Sequence, residues 1–229
     1  MPQSSGPLSI PVLFHLGPVA ITQTVVTTWA IMLILGILAW STTRRFKTHG
    51  SGLQVAIEGV VEAMSDTVHA TLPSASEAAF PLVATLWIFL VVANLAGIVP
   101  GVSAPTADLS ATAALAVIVF GSVHWLGIRT LGVKKYLAHY IKPTPFLLPF
   151  EIISEISRTI TLAVRLFGNM MSLELTALMV LFIAGFLIPI PILMLHIVEA
   201  LVQAYIFGML ALIYVAGSML SQDESPASR

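Results

Sequence analysis

The chain has no cysteine, which excludes disulfide bridges, thiolate nucleophiles and thiolate metal ligands together. Charge is nearly as scarce. Asp, Glu, Lys and Arg make up 9% of the 229 residues, where a soluble domain carries about 25%. Hydrophobic residues make up 57%, and the mean hydropathy is +0.97. A soluble fold of this composition would have too little polar surface to cover its core. The ten Lys and Arg are not gathered into a basic face, so nothing points to nucleic acid. There is no HExxH motif and no internal repeat, and low complexity is confined to the polar tail Gln222–Arg229.

What the chain does have is long apolar runs. Five are of membrane length: about Val19 to Trp40, Phe80 to Val99, Leu109 to Ile128, Pro149 to Ala184 and Pro191 to Leu220. A bilayer core needs about 20 helical residues. The last two runs exceed that, so they are expected to tilt or to project beyond it. The first is too long for a signal h-region and no basic segment precedes it, so it reads as a retained span. Arg44, Arg45 and Lys47 follow the first run, Arg129, Lys134, Lys135 and Lys142 follow the third, and Arg229 lies in the tail. The opposite segments, Met1–Pro18, Gly97–Asp108 and Gly185–Pro191, contain no Lys or Arg. By the positive-inside rule the N-terminus lies outside and the C-terminus in the cytoplasm. Between the first two runs, Ser51–Ala70 carries Glu58, Glu62 and Asp66 along one stripe and a broad apolar face. It reads as an amphipathic helix that either lies along the cytoplasmic interface or docks on another subunit. The expected fold is an all-α integral membrane protein, one membrane domain over residues 1–229. It has five transmembrane helices and one interfacial helix, and its last two helices form a long tilted hairpin.

Arg165 stands out against this background. A guanidinium keeps its proton at any physiological pH, and placing it at the centre of a bilayer costs at least about 2.5 kcal/mol. Such a residue points to an ion pathway. On a helix, Glu151, Glu155, Arg158, Leu162, Arg165, Asn169 and Ser172 fall on one stripe, with Thr161 at its edge. Glu155 and Arg158, three apart, are placed to neutralise each other, and the Glu151–Arg158 cluster also fits a helix end at headgroup level. Glu174, nine residues past Arg165, lies further outward on the opposite face, so the two cannot pair within the helix. The last run carries His196, Glu199 and Gln203. Counting back from the turn brings Glu174 level with Glu199–Gln203, giving three titratable groups in the outer half of the bilayer. Such a cluster suits a cation relay. A metal site at His196 and Glu199 would need a third ligand, which only Glu174 could supply. A stand-alone secondary transporter would be expected to show a repeat and a midplane substrate site.

Three elements resemble subunit a of the F-type ATP synthases. They are Arg165-Leu166-Phe167-Gly168-Asn169-Met170 with Glu174 beyond it; His196 followed by Gln203-Ala204-Tyr205-Ile206-Phe207; and Asn94–Gly101 leading to Pro105-Thr106-Ala107-Asp108-Leu109. They cover about half the chain. The resemblance implies a non-catalytic stator subunit of a bacterial inner membrane, passing protons to and from a ring of c subunits. Peripheral-stalk b subunits and lipids would be its other partners, and no cofactor or metal is implied. Arg165 is similar to the arginine that separates two half-channels, and Asn169 and Gln203 to its polar flanks. Glu174 and His196 resemble the lining of the outer half-channel, and Asp108 the acid at its mouth. Glu151, Ser154, Ser157 and Thr161 resemble the cytoplasmic half-channel. Two residues depart from the pattern. Arg158 stands where many relatives place lysine. Glu199 is an added acid, which leaves sodium open as the coupling ion.

Overall fold

The computed structural model describes residues 12–16, 19–45, 52–73, 75–99, 102, 104–133, 136, 148–184 and 189–220. Lys47, Lys134, Lys135, Lys142, Arg229, the polar tail and most of the 185–191 turn lie outside them.

The chain is helical after a short hairpin. Strands β1 (Val12–Leu16) and β2 (Val19–Thr22) pair antiparallel, with Leu16 opposite Val19 and a bulge between Val12 and Phe14. Helices follow: α1 (Gln23–Arg45), α2 (Gly52–Thr71), α3 (Ser76–Ala96), α4 (Leu109–Leu131), α5 (Leu148–Ala184) and α6 (Pro189–Leu220). A 3-10 turn at Pro105–Ala107 leads into α4. Five of the helices, all but α2, are long and apolar enough to cross a membrane.

The bounds differ from the sequence expectation in two informative places. α1 begins at Gln23 and not Val19, because Val19–Thr22 is taken by β2. Alternating β-branched residues after Pro18 suit a strand. α3 begins at Ser76, ahead of Pro81. A proline in the second turn removes one helical hydrogen bond without ending the helix.

α5 is 37 residues long, about 55 Å at 1.5 Å per residue, so it overshoots a bilayer core of about 30 Å. It runs antiparallel to α6, and the two pack with α3 and α4 around a core of Leu90, Leu162, Leu166, Met170, Phe207 and Leu212, all fully buried. α3 is fastened to α6 by two side-chain bonds to backbone. Trp87 Nε1 donates to the Tyr205 carbonyl at 3.2 Å, and Asn94 Nδ2 donates to the Ala200 carbonyl at 3.1 Å. The Trp87 and Tyr205 rings stack at 5.9 Å. Gly208 makes this approach possible, because a Cβ there would overlap the Trp87 indole. α1 by contrast is nearly bare: Trp29, Leu33 and Trp40 are each about 60% exposed.

Candidate functional site

The buried residues of α5, Leu162, Ala163, Leu166, Met170 and Leu173, face the core. Arg165 lies off that face and is exposed. Ser154, Ser157, Thr161, Gly168 and Ser172 share its side of the helix and are also exposed. On this side of the helix these small side chains surround two exposed cations, Arg165 and, seven residues back, Arg158. Among the described residues Arg165 makes no hydrogen bond or ion pair, neither with Glu174 nor with Glu199.

One turn beyond Arg165, Asn169 turns inward. Its Nδ2 donates to Gln203 Oε1 on α6 at 2.6 Å. Gln203 is only 2% exposed, and its Nε2 has no partner. The amide pair braces α5 against α6 directly behind the arginine. It also fixes the register of the hairpin, which brings Glu174 level with Val198–Glu199. Glu174 is half-buried and makes no hydrogen bond or ion pair among the described residues.

His196 is 4% exposed, and its Nε2 has no hydrogen-bond partner. It lies near Glu199, one turn on, and near the Asn94 backbone. Asn94 is itself fully buried with its Oδ1 unpaired. A buried polar atom without a protein partner costs free energy unless water or an ion meets it, and the α3–α6 seam at this height carries two such atoms, one from each helix. The structure brings His196 near Glu199, one turn on, and no hydrogen bond or ion pair links His196, Glu199 and Glu174 among the described residues.

Asp108 accepts from Ser110 N and Ser110 Oγ, both at 2.9 Å. It is the N-cap of α4 and 8% exposed. Its carboxylate holds the first turn of that helix, as capping aspartates do.

At the other end of the bundle, α4, α5 and α6 enclose a cavity of about 270 Å³. Its polar lining includes Glu151, Ser154, Glu155, Arg158, Thr159 and Ser218. Ser157 and Thr161 do not line it; they lie further round α5, on the open face with Arg165. The expected Glu155–Arg158 pairing is replaced. Glu155 Oε1 lies 3.3 Å from Nε2 of His124 on α4, and the Arg158 guanidinium lies over the Tyr214 ring at 5.8 Å. His124 is the residue the sequence reading missed. The criterion that singled out Arg165, a titratable side chain inside an apolar run, would have found it.

Comparison with known proteins decides what this arrangement belongs to. The family model described as ATP synthase A chain matches residues 25–216. The chain is a member of the ATP synthase subunit a family. It is 61% identical to ATP synthase subunit a of Legionella pneumophila (strain Paris) and 59% identical to ATP synthase subunit a 2 of Pelobacter propionicus, each match covering 92% of both chains. It is 55% identical to ATP synthase subunit a 1 of Hahella chejuensis over 96% of this chain and 93% of that one. As a subunit a it is a multi-pass membrane protein of ion transport and ATP synthesis, and a non-catalytic member of its complex.

Proposed function

We propose that this subunit a is the stator of a rotary ATP synthase, with two half-channels that carry protons to and from a ring of c subunits and Arg165 between them. The observation that carries this reading is the placement of Arg165. A permanent charge on the open face of a membrane bundle, without a partner among the described residues, calls for a counter-charge from beyond the bundle. A carboxylate passing on a ring supplies one. The exposed small residues Ser154, Ser157, Thr161, Gly168 and Ser172 leave room for a neighbouring helix to come close.

On the outer side, Glu174, His196 and Glu199 receive the proton, with Asp108 near the mouth. The proton loads a ring carboxylate, which is then neutral and able to face lipid. After nearly a full turn the carboxylate reaches the cytoplasmic cavity. There Glu151 and Ser154 line its exit, and Ser157 and Thr161 continue the polar track toward Arg165. At roughly 4 Å and an effective dielectric near 20, the attraction to Arg165 is about 4 kcal/mol. That favours deprotonation without locking the ring. The same charge blocks a direct cation leak between the half-channels, while Asn169 and Gln203 hold the helix that carries it. The membrane is the bacterial inner membrane, with the N-terminus outside, and peripheral-stalk b subunits hold the chain still.

Arg165→Ala is the test. In assembled complex, coupled ATP synthesis is lost and passive proton leak stays equal or rises. Normal synthesis in that variant refutes the role given to the arginine. One observation favours a second reading, with sodium as the coupling ion: the extra carboxylate of Glu199 beside His196. ATP-driven transport by reconstituted complex, with and without sodium, separates the two.

A further inference from the structure

Thr106 sits in the 3-10 turn that leads into α4. It is fully buried, and its Oγ1 has no partner among the described residues. A hydroxyl donates one hydrogen bond and accepts up to two. Burying it with all of these unmet costs free energy, whereas a valine of the same shape would avoid that cost. The same condition recurs at three other side chains among the described residues, Asn94, His196 and Gln203. None of the four lines the cytoplasmic cavity.

Three contacts fix their heights. Asn94 on α3 bonds to the Ala200 carbonyl on α6. The Asn169–Gln203 bond sets α5 against antiparallel α6, so Ala200 is level with Ser172. The His124–Glu155 contact sets α4 against antiparallel α5 in the same way, so Leu109 is level with Met170 and the 3-10 turn before it with Ser172–Glu174. That turn packs against α1, α3, α4 and α5. Its approach to α3 is close: a Cβ on Gly97, three residues after Asn94, would lie 2.9 Å from the Cβ of Ala104. Thr106 therefore joins Asn94 and His196 in one layer, about 10 Å outward of Arg165 along α5. The titratable groups at this height are Glu174 from α5, His196 and Glu199 from α6, and Asp108 two residues from Thr106. The outer halves of α1, α3 and α4 carry none.

We infer that Thr106 is a positioning residue of the outer half-channel, its hydroxyl holding a water that passes protons between the mouth at Asp108 and the group of Glu174, His196 and Glu199. This rests on the half-channel reading proposed above. Asp108 Oδ1 is taken up by Ser110 at the start of α4, and Thr106 is the next polar side chain back along the turn. The step balances simply. The held water takes a proton on a lone pair from the mouth side and releases one of its own toward Glu174. One proton enters and one leaves, and no bond in the protein changes. A hydroxyl suits this because its hydrogen rotates about the C–O bond, so it donates or accepts as the water requires.

The test is proton-driven ATP synthesis by the whole complex in proteoliposomes, measured against pH on the outer face at fixed cytoplasmic pH. Thr106→Val keeps the branched shape and removes the hydroxyl, whereas Thr106→Ser keeps the hydroxyl. The valine variant is expected to lose roughly five- to tenfold in rate per assembled complex, the equivalent of one hydrogen bond to a path water. The loss is greatest at high outer pH, where entering protons are scarce, and serine restores most of the rate. A valine variant with the parent rate and the parent pH profile overturns the inference. So does a serine variant as slow as the valine one, which would place the effect in the shape of the side chain and not in its hydroxyl. So does a loss that follows only the amount of assembled complex. Arg165→Ala in the same preparation reads the half-channel proposal separately, since coupled synthesis in that variant would refute that proposal whatever Thr106 does.

Discussion

Arg165 is positioned by what stands behind it. The Asn169–Gln203 bond is 2.6 Å long and joins the two long helices at the height of the arginine. Leucine at position 203 keeps the bulk and removes the acceptor, so Asn169 Nδ2 loses the only partner it has among the described residues, at a cost of about 1 to 3 kcal/mol. Gln203→Leu should leave the complex assembled and slow ATP synthesis roughly tenfold, in keeping with that cost. Synthesis at the parent rate per assembled complex would remove the brace from the mechanism. Glu199 poses a different question at the same scale. Its charge is half-buried beside His196, so a neighbour or a passing cation must compensate it. If it gathers cations for the outer half-channel, Glu199→Gln slows synthesis chiefly at low external ion concentration. If it only holds the fold, assembly falls and the concentration dependence stays. Synthesis measured against external ion concentration, at equal amounts of complex, tells these apart.

At the scale of elements, the seam between α3 and α6 positions the residues of the proposed outer pathway. Trp87 and Asn94 both bond to α6 carbonyls, and Asn94 lies near His196. The seam closes only because Gly208 has no Cβ. Gly208→Val drives a branched side chain into the indole. Overpacking of this kind costs about 1 to 3 kcal/mol, so less complex should assemble and what assembles should melt earlier, with Trp87→Leu restoring part of the loss. Native electrophoresis and a thermal shift measure both. The elements also show what could be read in advance. α5 and α6 were legible because more than thirty mostly apolar residues admit few structures other than a membrane helix, and Arg165 stood out against them. The β1–β2 hairpin was not, because two strands of five and four residues carry too short an alternation to separate from the apolar run that follows. The His124–Glu155 pair was hidden for another reason. Its partners sit on different helices, and periodicity within one helix says nothing about which side chain waits on the next. Ser157 and Thr161 were grouped with Glu151 by resemblance, yet the winding of α5 puts them on the open face and outside the cavity.

The molecule as a whole is unfinished by itself. α1 exposes Trp29, Leu33, Ile37 and Trp40 around most of its circumference, and Arg165 has no counter-charge among the described residues. A lipid-facing helix tolerates the first condition, but only a partner or water relieves the second. Which side of the membrane each end occupies then decides which half-channel is which, and so the direction of every step proposed here. Lys and Arg residues cluster after the first and third spans, with one more in the tail, and the positive-inside rule predicts that these parts are cytoplasmic. With no native cysteine to interfere, single cysteines report this directly. Ser4→Cys and Ser103→Cys should react with an impermeant thiol reagent added outside intact cells. Thr48→Cys and Ser228→Cys should react only in inverted vesicles. Five crossings require Ser4 and Ser228 to lie on opposite sides, so labelling of both from one side would break the topology. Reversed labelling of all four would keep the five crossings and exchange the roles of the two half-channels. The cavity lined by Glu151 and Glu155 would then become the outer chamber, and Glu174 and His196 would line the exit.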